Sequence, residues 1–401
     1  MKIKSIKAYE ILDSRGNPTI KVVLKIGKHF VAASVPSGKS KGAYEAVELR
    51  DGNKKRFSGL GVRKAVKNIN EIIAKKIIGM DCRKQQKIDN LMLTLDGTQR
   101  KSRLGANAIL AVSIAVCKAG AKAEERPLFE YIAELSSCKK PNLPRIYANL
   151  INGGMHAETK LSFQEFLAVP KAKGTKGIEQ IHSIYYEIKS TLKKRRLSTS
   201  VGDEGGFTPN VCNDEAIKIL HISAKKINKK IQLALDIAAS SLFKSGYYFI
   251  PKKTSSASLL EQYKNYIKKY KLLSIEDPFA EQDLEAWKKA IKVLNCMLVG
   301  DDLTATNPKR IELAKKLNLC NALLIKPNQI GTITETILAA NLAKKFKWPI
   351  IVSHRSGDTC DSFIADLAVG LSAFGIKIGA PCRGERTAKY NRLIEIEQEL
   401  R

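Results

Sequence analysis

Five short apolar runs in the second half of the chain carry charged residues at almost constant spacing, and this rhythm restricts the fold more than any other feature. LLSIE ends at Glu276, MLVGD at Asp301 and ALLIK at Lys326, each 25 residues after the last. PIIVSHR then carries Ser353 to Arg355, and FGIKIG carries Lys377, 51 residues beyond Lys326. A buried run of β-formers followed by a helix-sized segment is the unit of a parallel sheet, and this period holds one strand, one helix and two short loops. The pattern predicts a closed βα barrel. Its chemistry is expected at the C-terminal ends of the strands, where these Glu, Asp, Lys and Arg residues converge on one pocket.

A barrel of this kind takes roughly 250 residues, so a chain of 401 has room for a second unit. Residues 1 to about 35 read as a three-stranded meander, because Ile20, Val22, Leu24 and Ile26 alternate with Lys21, Val23 and Lys25 before Gly27-Lys28 turns the chain. Val62, Ala65, Val66, Ile69, Ile72, Ile73 and Ile77 fall on one helical face and would cover the sheet. Helices through Ile88 to Leu93 and from Ala106 to Ala123 complete an α+β unit. The expected division is an N-terminal α+β capping unit over 1–134 and a catalytic barrel over 135–401. Between sheet and helices lies PSGKSKGAYEAVELRDG, a loop rich in Ser, Gly and Lys that could close on an anion.

The longest nearly uncharged stretch, Gly105 to Cys117, is shorter than a membrane span, and MKIKSIKAYE lacks a signal-peptide core, so a cytoplasmic protein is expected. Eight cysteines show neither CxxC pairing nor zinc spacing and read as reduced packing residues. The formal charge of +30 raises the alternative of a basic nucleic-acid or anionic-surface binding protein with an idle enzyme site. That charge is its only support. The lysines lie in short clusters such as 193–196, 225–230 and 264–271, without interleaved aromatics or a nucleic-acid motif, so neither specific nucleic-acid binding nor a membrane span is expected.

Asp236, Glu276 and Asp301 each end an apolar run, which brings three carboxylates to the barrel mouth. Such a trio needs a cation, and an all-oxygen set suits Mg2+. Lys326 and Lys377 also point inward, and neighbouring cations would depress an amine until it serves as a general base. Arg355 with Ser356 suits a phosphate. Glu165 and Glu204 form a candidate carboxylate pair in which one keeps its proton and acts as an acid. A base and a metal acidify the carbon beside a carboxylate, while an acid expels a hydroxyl group.

Along nearly its whole length the chain resembles the enolase family, and within it the shorter archaeal-type sequences. The resemblance is carried by DSRGNPT, PSGKSKGAYEAVELRDG, LGANAILAVSIA, INGGMHA, VGDEGG, LALDIAAS, SIEDPFAEQD, VGDDLTATNP, IKPNQIGT, VSHRSGDT and IKIGAPCRGERTAKYNRL. It implies an N-terminal α+β domain before an enolase-type barrel, and a lyase interconverting 2-phosphoglycerate with phosphoenolpyruvate and water. It also implies two Mg2+ per site, the first on Asp236, Glu276 and Asp301 and the second with Ser40 of the closing loop. Lys326 matches the base and Glu204 the acid, with Glu165 as the partner of that acid and His354 near the leaving group. His156 and Gln164 line the substrate site, Arg355 and Ser356 hold phosphate with Ser40, and Lys377 faces the substrate carboxylate. An assembly of at least two copies follows from the family. Lys39 and Lys41 depart from it, standing where Ala and Thr are usual.

Overall fold

The computed structural model describes residues 1–39, 42–156 and 159–400. Three antiparallel strands open the chain: β1 (Ile3–Leu12), β2 (Pro18–Ile26) and β3 (His29–Ser34). Alternation drives one face inward, so Ile20, Val22, Leu24 and Ile26 are fully buried. A helical run covers them as Arg63–Lys67, Asn68–Ile73 and Ala74–Ile77, with a π turn in its middle segment. Val62, Ala65, Ile69, Ile73 and Ile77 are buried as the periodicity predicts, whereas Ile72 is exposed. An i→i+5 turn advances the chain around the axis differently from 3.6 residues per turn, which removes Ile72 from the covered face.

The helix Ala106–Ala123 packs on β2 and β3 and against the barrel helix Ile333–Lys345. Among the described residues it is the one helix long and apolar enough to cross a membrane, and it is buried in the interior. Polar contacts join the two units around it. Ser113 Oγ accepts from the Ile333 amide at 2.9 Å, Asp89 Oδ2 accepts from the Thr334 amide at 3.0 Å, and Lys101 Nζ lies 3.0 Å from Glu335.

Eight strands close the barrel: β4 (Arg145–Asn152), β5 (Glu165–Val169), β6 (Gln232–Asp236), β10 (Ser274–Glu276), β11 (Met297–Gly300), β12 (Ala322–Ile325), β13 (Ile350–Ser353) and β14 (Gly375–Lys377). Between β6 and β10 a small sheet of β7 (Phe243–Lys244), β8 (Tyr247–Ile250) and β9 (Lys252–Thr254) stands apart. The strands expected from the 25-residue rhythm pair in parallel, but β5 runs antiparallel to both β4 and β6. Only a 12-residue connection separates β4 from β5, too short for a crossover helix, so the chain doubles back. Glu165 therefore reaches the mouth from the start of its strand. Inside, Tyr147, Leu167, Val169, Ala234, Val299, Ala322, Leu324 and Ile351 fill the barrel below the mouth. The expected helix starts are present, with Asn307 Oδ1 accepting from Lys309 N at 3.0 Å and Thr332 Oγ1 from Glu335 N at 3.1 Å.

Lys118 Nζ on the core helix donates to both oxygens of Asp361 at 2.8 Å, and Asp361 also accepts from the Ser34 amide. Burial pushes the Asp361 carboxyl up, but Lys118 and the amides of Ser34 and Phe363 outweigh burial and hold it below the usual range. A depressed folded-state pKa gives stability that is present above the unfolded value of about 3.9 and disappears as pH falls through the folded one. Asp361→Asn is therefore expected to destabilise the protein most near neutral pH, with the gap to wild type closing in acid. Chemical denaturation across pH checks this, and a gap independent of pH would contradict it.

Candidate active site at the barrel mouth

The strand ends deliver the charges of the pocket. Asp236, Glu276 and Lys377 are the last residues of β6, β10 and β14, while Asp301, Lys326, His354 and Arg355 follow β11, β12 and β13. All but Lys326 are buried, and its side chain is only 12% exposed. Lys377 Nζ lies 3.0 Å from Glu165, 3.0 Å from Asp236 and 2.8 Å from Glu276. Burial would lower the Lys377 amine, but Asp236, Glu165 and Glu276 hold it well above its ordinary value. Lys326 Nζ meets Asp301 Oδ2, and Gln329 Nε2 donates to Asp301 Oδ1 at 2.8 Å.

The expected carboxylate trio is thus on neighbouring strands but interleaved with two ammoniums. Among the described residues, the groups whose ligand atoms all lie within 4.8 Å of one another are His156, Glu165 and Glu204, and Asp277, Asp301 and Asp302. Asp277 accepts from the amides of Asp301 and Asp302 at 2.9 and 2.8 Å, which fixes the turn after β11. Burial, with Asp301 close by, pushes the Asp302 carboxyl up to about 8. Burial and the nearby Asp236 likewise push Glu276 well up. This excess of buried, oxygen-only donors is the chemistry that a hard divalent cation relieves, so the donor set fits a metal.

Two electrostatic expectations change. Lys326 was expected to have a depressed amine. Burial, Arg355 and Lys377 do lower it, but the opposite charge of Asp301 against Nζ outweighs them and raises it. In the Glu165–Glu204 pair, burial and the charge of Glu204 push the Glu165 carboxyl well up. Glu204 is also raised by burial, yet His354 and His156, with Arg386, hold it well below the usual range. His156 Nδ1 lies 3.5 Å and His354 Nε2 3.3 Å from Glu204, and Asn149 Nδ2 donates to it at 3.0 Å. Burial drives His354 down to about 4.

Gln164 Nε2 donates to Asp236 Oδ2 at 3.4 Å. Buried Gln164 Oε1 and Glu165 Oε2 have no hydrogen-bond partner among the described residues, which leaves acceptors for a polar ligand. Arg355 is held by the carboxylate of Glu45 at 3.0 and 3.1 Å and by Asn328 Oδ1 at 3.2 Å. Ser356 Oγ accepts from the Lys39 amide at 3.0 Å, so the glycine-rich loop lies directly on this segment. A Cβ at Gly38 would stand 1.8 Å from Arg355 Nη2, and only glycine permits that approach. Ser40, assigned to both substrate and metal, lies outside the described residues, as does Lys41.

Several supporting residues escaped the sequence reading. Arg386 is fully buried and donates to the carbonyls of Arg355 and Ser356 at 2.6 Å and of Asp203 at 3.1 Å, while meeting His354 Nδ1. Glu45 holds Arg355, Asn149 holds Glu204 and Gln329 holds Asp301. None ends an apolar strand run in the 25-residue rhythm, so periodicity does not reach them. Arg386 does stand in the GERTAKYNRL stretch that carried the resemblance.

Comparison with known proteins agrees with this geometry. The family model described as "Enolase, C-terminal TIM barrel domain" matches residues 140–401, and the one described as "Enolase, N-terminal domain" matches residues 3–132. A curated protein named "Enolase" from Mastigamoeba balamuthi is 47% identical over 420 aligned positions, covering 99% of this chain and 96% of the relative.

Arg386→Lys keeps the charge but loses the planar fork that holds three carbonyls. A small displacement of the Arg355–Ser356 segment costs roughly 100-fold in rate when it misaligns a reacting group. The variant is therefore expected to lose roughly 10- to 100-fold in kcat/KM at near-native secondary structure. Steady-state kinetics with circular dichroism checks this, and wild-type kinetics would contradict it.

Proposed function

Because the chain belongs to the enolase family and is a phosphopyruvate hydratase, a glycolytic lyase acting on 2-phosphoglycerate, we propose a division of labour among the residues at its barrel mouth. Lys326 takes the C2 proton on Nζ, and the electron pair left at C2 forms the C2–C3 double bond. Glu204 gives a proton to the departing C3 hydroxyl, and water and phosphoenolpyruvate result. Arg355 and Ser356 bind the phosphate, and Lys377 faces the substrate carboxylate. His156, Gln164 and His354 line the site around the leaving group. Ser40 is assigned to the phosphate as well.

The family implies a divalent metal, and we assign Mg2+, two per site, with Asp236, Glu276 and Asp301 for the first and Ser40 for the second. Such ions supply positive charge where the substrate carboxylate gains negative charge. Lys326 can become a base because burial, Arg355 and Lys377 all favour its neutral form, against Asp301 and Glu276. We assign the shared proton of the carboxylate pair to Glu165, which burial and Glu204 push well up. A substrate carrying phosphate and carboxylate adds negative charge beside Glu204, which favours transfer of that proton within the pair. The assembly is at least a homodimer in the cytoplasm, and the chain passes from its N-terminal unit to the barrel near residue 135.

The single observation that carries this reading is the convergence of two sets of ion pairs at one barrel mouth, Lys377 with Glu165, Asp236 and Glu276, and Lys326 with Asp301. Lys326→Ala tests it. The variant is expected to lose exchange of the substrate C2 proton with solvent while still binding substrate, and wild type is expected to form phosphoenolpyruvate only with a divalent ion present. Retained exchange in the variant would reject Lys326 as the base.

A further inference from the structure

Five barrel helices run from the catalytic mouth to the opposite end and deliver the chain to successive neighbouring strands. They are Asn213–Ile227 before β6, Ser256–Tyr270 before β10, Leu284–Val293 before β11, Pro308–Lys316 before β12 and Ile333–Lys345 before β13. At that opposite end the segments 222–231, 264–273, 288–297, 313–321 and 338–349 each carry two to four lysines and no Asp, Glu or Arg. Lys229, Lys230, Lys268, Lys271, Lys292 and Lys316 are exposed. The ion pairs formed by lysines of these segments, among the described residues, are Lys226 with Glu187, Lys264 with Glu261 and Lys288 with Glu285. Clusters that look scattered along the chain are therefore gathered by the barrel into one arc.

Complementing helix dipoles is the simpler explanation, since a cation stabilises a helix C-terminus. It does not account for the distribution. The helix Phe363–Gly370 ends without a basic residue, and Gly384–Glu399 ends among Glu395, Glu397 and Glu399. Lys229, Lys230, Lys271 and Lys347 also lie beyond the last helical turn. The Lys193–Arg196 cluster is not part of the arc, because antiparallel β5 sends the helix Gly174–Lys194 toward the mouth.

The form of the arc selects its partner. Lysine is a point charge without a planar fork for single phosphates, and the arc is a rim of helix ends. Ile227 and Val293 stand exposed among the lysines, at 36% and 48%. The nearby Tyr270 and Trp348 are buried, so they offer no ring on which a base could stack. A groove of about 480 Å³ beside Lys268, Lys271, Leu272, Val293 and Asn295 could take a polar headgroup with part of its apolar stem. We infer that this lysine arc is a reversible docking surface for an anionic lipid bilayer, which leaves the catalytic mouth facing away from the membrane and open to substrate.

The test is co-sedimentation of the full chain with vesicles of phosphatidylserine and phosphatidylcholine, against phosphatidylcholine alone. Each lysine near an anionic leaflet is worth roughly fivefold in affinity, screened by salt. The quadruple variant Lys229→Gln, Lys268→Gln, Lys271→Gln, Lys292→Gln is expected to lose at least roughly tenfold in binding. A control with the same net charge, Lys64→Gln, Lys67→Gln, Lys75→Gln, Lys76→Gln, is expected to bind like wild type. Both should keep wild-type lyase activity, which also shows that they fold, and bound wild type should stay active. Three results would overturn the proposal: no binding by wild type, equal loss in the two variants, or tighter binding to a single-stranded RNA homopolymer than to vesicles at equal phosphate.

Discussion

Lys377 Nζ lies within 3.0 Å of Glu165, Asp236 and Glu276, deep in a barrel mouth from which water is largely excluded. Three buried carboxylates without that ammonium would repel one another, and removing one partner of a buried pair costs about 3–5 kcal/mol. The barrel can therefore carry its carboxylates only because a cation is built in beside them. The same requirement recurs at Asp301 with Lys326 and at Arg355 with Glu45.

This balance explains why the framework around the mouth is so heavily hydrogen-bonded. Arg386 spans the His354–Ser356 segment and the carbonyl before Glu204, tying the Arg355–Ser356 turn to the Glu204 turn. Asp277 ties down the turn that carries Asp301 and Asp302. Such groups set geometry and local potential without being aimed at the substrate, a common arrangement where rigid positioning matters.

The barrel was legible because four of its strands are short, apolar and closed or directly followed by a charged residue, so Glu276, Asp301, Lys326 and Lys377 advertise themselves by spacing. The reversal of β5 was not legible from periodicity, since QEFLAV is as apolar as a parallel strand and direction depends on the short connection before it. The π turn that exposes Ile72 leaves no mark in composition either. Most hidden were the electrostatic shifts. That Asp301 raises Lys326, and that two histidines and Arg386 lower Glu204 while burial and Glu204 raise Glu165, depends on distances across elements far apart in sequence.

Proton removal at C2 is proposed for Lys326, which follows β12, and protonation of the C3 hydroxyl for Glu204, beside His354 and Asn149. Glu204→Gln separates them most directly, with C2 proton exchange and phosphoenolpyruvate formation measured on the same sample. Exchange is expected to persist while phosphoenolpyruvate formation falls by roughly 100-fold or more, as for loss of a general acid. An equal loss in both reactions would contradict it.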